Sequence, residues 1–132
     1  MPINTIIQPG FYEGPGKAKL LHVNQTCFLF QNTRVLANQS SVAIQLEREN
    51  RGFYPWGAAI QVLFGGAPGA FEIDIESSED DQDATYVSIV TIVAVNSRNA
   101  GRAAIGFTWP KFIRATVITL TNDVPLTLWV TR

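Results

Sequence analysis

Cysteine, histidine and methionine each occur once in this 132-residue chain. A lone Cys27 forms no internal disulfide and supplies no structural zinc set. It sits in the apolar run Cys27-Phe28-Leu29-Phe30, where a thiol is expected to be buried and inert. Any Ser-His-Asp or Cys-His catalytic group would have to use His22. That residue lies in Leu20-Leu21-His22-Val23, a strand-like run, and no Gly-x-Ser-x-Gly nucleophile turn occurs. Gly14-Pro15-Gly16-Lys17 lacks the glycine spacing of a phosphate loop, and Ala18 stands where such a loop needs Ser or Thr. The expectation is a protein that is not an enzyme and holds no metal or cofactor.

Charge is also scarce, at 16% of residues, with 10 Lys and Arg against 11 Asp and Glu. A net charge of −1 lacks the basic excess of a nucleic-acid binder, so no nucleic-acid partner is expected. No run approaches the ~20 apolar residues of a membrane span, so no membrane partner is expected either. Met1-Pro2-Ile3-Asn4 has no basic start and no apolar core behind it, which predicts synthesis and retention in a cytoplasm.

What the chain does have is strand pattern. Residues 71–76, Phe-Glu-Ile-Asp-Ile-Glu, alternate apolar and acidic at every step, the period of a strand with one buried face. Further strands are predicted over Lys17–Val23, Cys27–Phe30, Ser41–Glu49, Trp56–Phe64, Thr85–Val95, Lys111–Leu120 and Val124–Thr131. Thr85–Val95 is apolar on both faces, which suits a central strand or one covered by a partner. Gly65-Gly66-Ala67-Pro68-Gly69 and Thr121-Asn122-Asp123 mark turns. Residues 96–108 form a long polar connection, with a short strand at its end. About eight strands in one domain predict an all-β antiparallel sandwich, with a jelly roll as the favoured topology. No helix-length amphipathic run competes.

Residues 1–16 stand apart as an extended arm, and residues 17–132 as the sandwich domain. Pro2, Pro9, Pro15, Gly10, Gly14 and Gly16 keep the arm out of helix and sheet. Its Ile3, Ile6, Ile7, Phe11 and Tyr12 predict that it packs somewhere, on its own domain or on a neighbour.

Acidic residues cluster in Glu72, Asp74, Glu76, Glu79, Asp80, Asp81 and Asp83. The alternating three are expected on a solvent face, and Ser77–Asp83 in a solvated hairpin loop. Residues 84–122 carry no acid, only Arg98, Arg102, Lys111 and Arg114. Such polarity matches surfaces between copies of the chain or between it and a lattice.

Trp109-Pro110-Lys111-Phe112-Ile113-Arg114-Ala115-Thr116-Val117-Ile118-Thr119-Leu120-Thr121, a short turn, and Leu126-Thr127-Leu128-Trp129-Val130-Thr131-Arg132 resemble the closing hairpin of small virion proteins of tailed bacteriophages. With the Phe71–Glu76 strand and its acidic loop, residues 56–132 are similar to the jelly-roll cement, or decoration, proteins of phage heads, one of which a Bordetella podovirus carries. The resemblance implies a structural protein on the capsid exterior. It would bind the major capsid protein, hold neighbouring capsomers together, and associate with itself as a dimer or trimer. Phe11, Tyr12, Arg98, Arg102, Trp109, Phe112 and Trp129 are then the candidate self-association or capsid contacts, because aromatics and Arg dominate contact energies. A tail or head-fibre component, or a carbohydrate-binding module using Tyr54, Trp56 and Trp109, are the competing readings.

Overall fold

The computed structural model describes residues 11–22, 25–46, 58–93, 100–105 and 111–132. Ten strands run through them: β1 (Lys19–Leu21), β2 (Thr26–Thr33), β3 (Gln39–Ser40), β4 (Ile44–Leu46), β5 (Ala58–Phe64), β6 (Phe71–Ser78), β7 (Val87–Val93), β8 (Ala100–Ile105), β9 (Phe112–Leu120) and β10 (Leu126–Thr131). The one helical element among the described residues is a 3-10 turn at Asp83–Thr85.

The strands form two sheets. Sheet I has the order β1-β4-β9-β6-β7, with β3 also on β9, and sheet II has the order β2-β10-β5-β8. The expected sandwich is thus present. Its pairings are antiparallel except at one edge, where Lys19–Leu21 runs parallel to Ile44–Leu46. From β2 onward the chain crosses between the sheets at each connection, except β3 to β4 and β6 to β7.

Alternation decides which side chains fill the space between the sheets. Ile60, Val62 and Phe64 of β5, Phe71, Ile73 and Ile75 of β6, Ile113, Ala115 and Val117 of β9, and Leu126, Leu128 and Val130 of β10 are all buried. Phe64 and Phe71 meet with ring centres 4.7 Å apart. Strand β2 departs from strict alternation. Leu128 faces Phe30 while Trp129 faces Phe28, so Leu29 is the extra residue of a bulge. The bulge lets Leu29 and Phe30 both enter the core and turns Phe28 outward.

Of the two readings of Thr85–Val95, a central strand or one covered by a partner, the described residues 85–93 do not show the first, and residues 94–95 lie outside the described residues. Val87–Val93 is not a central strand: among the described residues it pairs with β6 alone and forms the edge of sheet I. Val87, Ile89 and Val93 are exposed there. Ile89 is the extra residue of a bulge, and Val93 stands opposite Glu72 on the outward phase. The polar connection after it holds a full strand, β8, whose Gly101 lies where the two sheets close on each other. A Cβ on Gly101 would stand 2.7 Å from Ile92 Cγ2.

Candidate association surfaces

The two outer faces of the sandwich are built differently. On sheet I, Glu72, Asp74 and Glu76 of β6 share the outward phase with Phe112, Arg114 and Thr116 of β9. Register places Glu76 opposite Arg114. Arg114 Nε donates to Glu76 Oε1 at 2.9 Å, and Nη1 donates to Asp83 Oδ1 at 2.7 Å. Its guanidinium also lies against two rings, 4.1 Å from the centre of Tyr86 and 4.6 Å from that of Tyr12. Thr116 Oγ1 donates to the same Glu76 oxygen at 2.7 Å.

Tyr12 brings the arm to this cluster. Its backbone N–H donates to the Ser40 carbonyl at 3.0 Å, and its hydroxyl donates to the Asp81 carbonyl at 2.6 Å. Tyr86 donates to Asp81 Oδ1 at 2.6 Å, and the Gly16 N–H donates to Asp81 Oδ2 at 3.1 Å. Gly16 takes a φ of +82°, which glycine adopts without strain. Phe11 bridges to Ser41 and meets Phe30 edge-on with centroids 6.3 Å apart. Beside this strap lies an open groove of about 340 Å3, walled by Phe11, Tyr12, Ser40, Asp83 and Arg114. Residues 11–16 of the arm therefore pack on their own domain; residues 1–10 lie outside the described residues.

Electrostatics follow from this burial. Burial, then the Asp81 carboxylate beside it, push the Tyr12 hydroxyl up to about 12. The Tyr86 hydroxyl is pushed up too, by burial first and then by its bond to Asp81. Burial works against the Arg114 charge, but the bonds to Asp83 and Glu76 outweigh it and raise its pKa. Burial likewise pushes the Cys27 thiol up, as expected of an inert cysteine.

Two expectations need correction. Ser77–Asp83 is not a fully solvated loop, because Asp81 is only 2% exposed and serves as the acceptor that holds both tyrosines. Glu76 is not a plain solvent-face carboxylate, because its side chain is 16% exposed and bound to Arg114. Much of the charge polarity is accordingly consumed inside one copy. Lys111 reaches over Phe112, with Nζ 5.4 Å from the ring centre, and the Lys111 backbone N–H donates to Glu79 Oε2.

Sheet II presents the opposite face. Cross-strand register aligns Phe28 of β2 with Trp129 of β10, Trp129 with Gln61 of β5, and Gln61 with Arg102 of β8. The four side chains form one row across the sheet, about 14 Å long at the usual strand spacing. Phe28 and Trp129 are half-buried against each other, with centroids 6.0 Å apart and planes tilted by 54°. The next row on one side is small, Thr26, Thr131, Ala59 and Ala104, all exposed. On the other side lie Thr127, Leu63 and Ala100, with Leu63 48% exposed. Arg102 is the one charged side chain on these outward strand positions, and no described segment crosses them. Beyond Arg102 an open groove of about 490 Å3 continues to Thr91 and Val93 at the edge of β7.

Of the candidate contacts, the fold brings Tyr12 beside Arg114 and its neighbour Phe11 beside Phe30. It places Arg102 and Trp129 in one row, and sets Phe112 on the other face. Arg98 and Trp109 lie outside the described residues, as do Tyr54 and Trp56. Phe28, Gln61, Tyr86, Asp81 and Arg114 are participants that strand pattern alone did not single out. His22 is exposed after β1, where its N–H donates to Gln25 Oε1. Among the described residues no group of three His, Cys, Asp or Glu side chains is placed to hold a metal ion. No protein-family model and no curated protein sequence matches this chain.

Proposed function

We propose that the chain is a non-enzymatic structural protein of a phage virion, which binds the capsid exterior and cements neighbouring capsomers. The observation that carries this reading is the outer face of sheet II, which no described segment crosses. Its described strand positions carry one charge, Arg102, and are crossed by the Phe28–Trp129–Gln61–Arg102 row. A contiguous surface of that make-up, on a domain whose other face is strapped by its own arm, suits burial against protein. The uncharged edge of β7 adds a second place where a neighbour can attach.

The order of the strands supports the same reading. Counted from β2, with β3 and β4 as one, they nest as first with last, second with seventh, third with sixth, and fourth with fifth. Such nesting favours a jelly-roll winding, which viral capsid and lectin domains share. A rigid domain that binds only the assembled head shifts the assembly equilibrium toward it.

The test is addition of the purified chain to empty expanded heads of its source phage. The reading predicts saturable, stoichiometric binding and a higher rupture temperature. Heads that neither bind the chain nor gain stability would contradict it, and tryptophan quenching by sugars at Trp129 would favour a carbohydrate-binding module instead.

A further inference from the structure

We infer that the outer face of sheet II is the interface through which two copies of this chain form a two-fold dimer. The inference rests on reading that face as an association surface, but not on the phage head; in such a dimer the edge of β7, not this face, is what remains to meet a capsid. The order of the row makes the face complementary to itself. Phe28 and Trp129 stand at one end, Gln61 follows, and Arg102 stands at the other end. Let two such faces meet about a two-fold axis lying between them along the strands. The row of one copy then runs against the reversed row of the other.

In that arrangement each Arg102 comes over the Phe28 ring of the other copy, and each Gln61 comes over the other copy's Trp129. A guanidinium over an aromatic face is attracted by the ring quadrupole, and the contact occurs twice. The two Arg102 charges sit at opposite ends of the row, so like charges do not meet. No carboxylate stands on the described strand positions of this face to be stranded without a partner. The small flanking residues Ala59 and Ala104 let the sheets approach to the ordinary sheet-on-sheet distance of about 10 Å. Other occupants fit less well: an acidic protein surface would satisfy Arg102 alone, and the tilt of Trp129 against Phe28 spoils a flat platform for sugar rings.

The experiment is sedimentation equilibrium of the full chain over a wide concentration range. The expected result is a monomer–dimer equilibrium. Arg102→Glu and Phe28→Lys should each weaken it about tenfold or more, since each removes two symmetric contacts. The double variant Phe28→Lys/Arg102→Glu should restore the dimer, because the ammonium introduced in one copy then meets the carboxylate introduced in the other. Both positions lie on the outer surface, and circular dichroism checks that each variant is folded. A monomer at all concentrations, a trimer, or a dimer unaffected by either single variant overturns the inference. A dimer that forms as described in a protein that does not bind heads would sink the phage reading and leave this one standing.

Discussion

The Arg114 guanidinium stacks 4.1 Å from the centre of the Tyr86 ring while its nitrogens hold Glu76 and Asp83. A charged residue in the middle of an apolar strand is thereby tied to three other segments: β6, the acidic loop and, through Tyr12, the arm. Removing it would leave the mostly buried Glu76 carboxylate without its cation. Arg114→Ala is expected to cost about 2–4 kcal/mol, mostly as the penalty of that stranded charge. The check is thermal unfolding, with a melting point lower by roughly 10 °C. Arg114→Lys should recover only part of the loss, because an ammonium does not stack or fork as a guanidinium does.

Tyr12 should control the arm without controlling the domain. Tyr12→Phe removes the hydroxyl bond to the Asp81 carbonyl, worth about 1 kcal/mol at a half-buried site, and keeps the ring on Arg114. Tyr12→Ala removes both. Hydrogen exchange should show the amides of Tyr12 and Gly16 losing protection progressively in the two variants, while Ala115 and Val117 in β9 remain protected.

Alkaline pH should act on the same strap. The folded pKa of Tyr12 is raised above its ordinary value of 10, to about 12. Its contribution to stability is therefore fully present below pH 10 and is lost as pH rises through about 12. Absorbance titration at 295 nm is expected to show a phenolate component near pH 12 that Tyr12→Phe removes. A Tyr12 component at pH 10 would mean that the strap is not docked.

Gly101 should resist even the smallest side chain. Its missing Cβ is the space that Ile92 Cγ2 occupies, with Phe71 behind it. Gly101→Ala is expected to cost about 1–3 kcal/mol by overpacking. In an Ile92→Ala background that cost should shrink, and a double-mutant cycle by denaturant unfolding measures the difference.

Period-two patterning made the sandwich legible. Residues 58–64, 71–76 and 126–130 bury the faces that their alternation assigns to the core. Two departures were not legible, for physical reasons. The bulge at Leu29 inverts the phase of β2, so nothing local tells Phe28, which faces out, from Phe30, which faces in. The exposed edge of β7 reads as a central strand because composition does not record which neighbours a strand has. The Phe28–Trp129–Gln61–Arg102 row needs the register of four strands, no two of them consecutive in the chain, and no local signal carries that. Glu76 announced an outward position by alternation, but its pairing with Arg114 came only with the β6–β9 register. Asp81 carried one usable sign, an acidic residue able to take the left-handed turn it adopts at φ +57°.

If the proposed virion role holds, this chain is present in purified phage particles from its source in a fixed copy number relative to the major capsid subunit. Quantitative mass spectrometry gives that ratio. A cement protein is expected at a ratio near one, or at a simple fraction of it, spread over the head lattice. A handful of copies per particle would put the chain at the tail or a vertex, and its absence from particles would contradict the account.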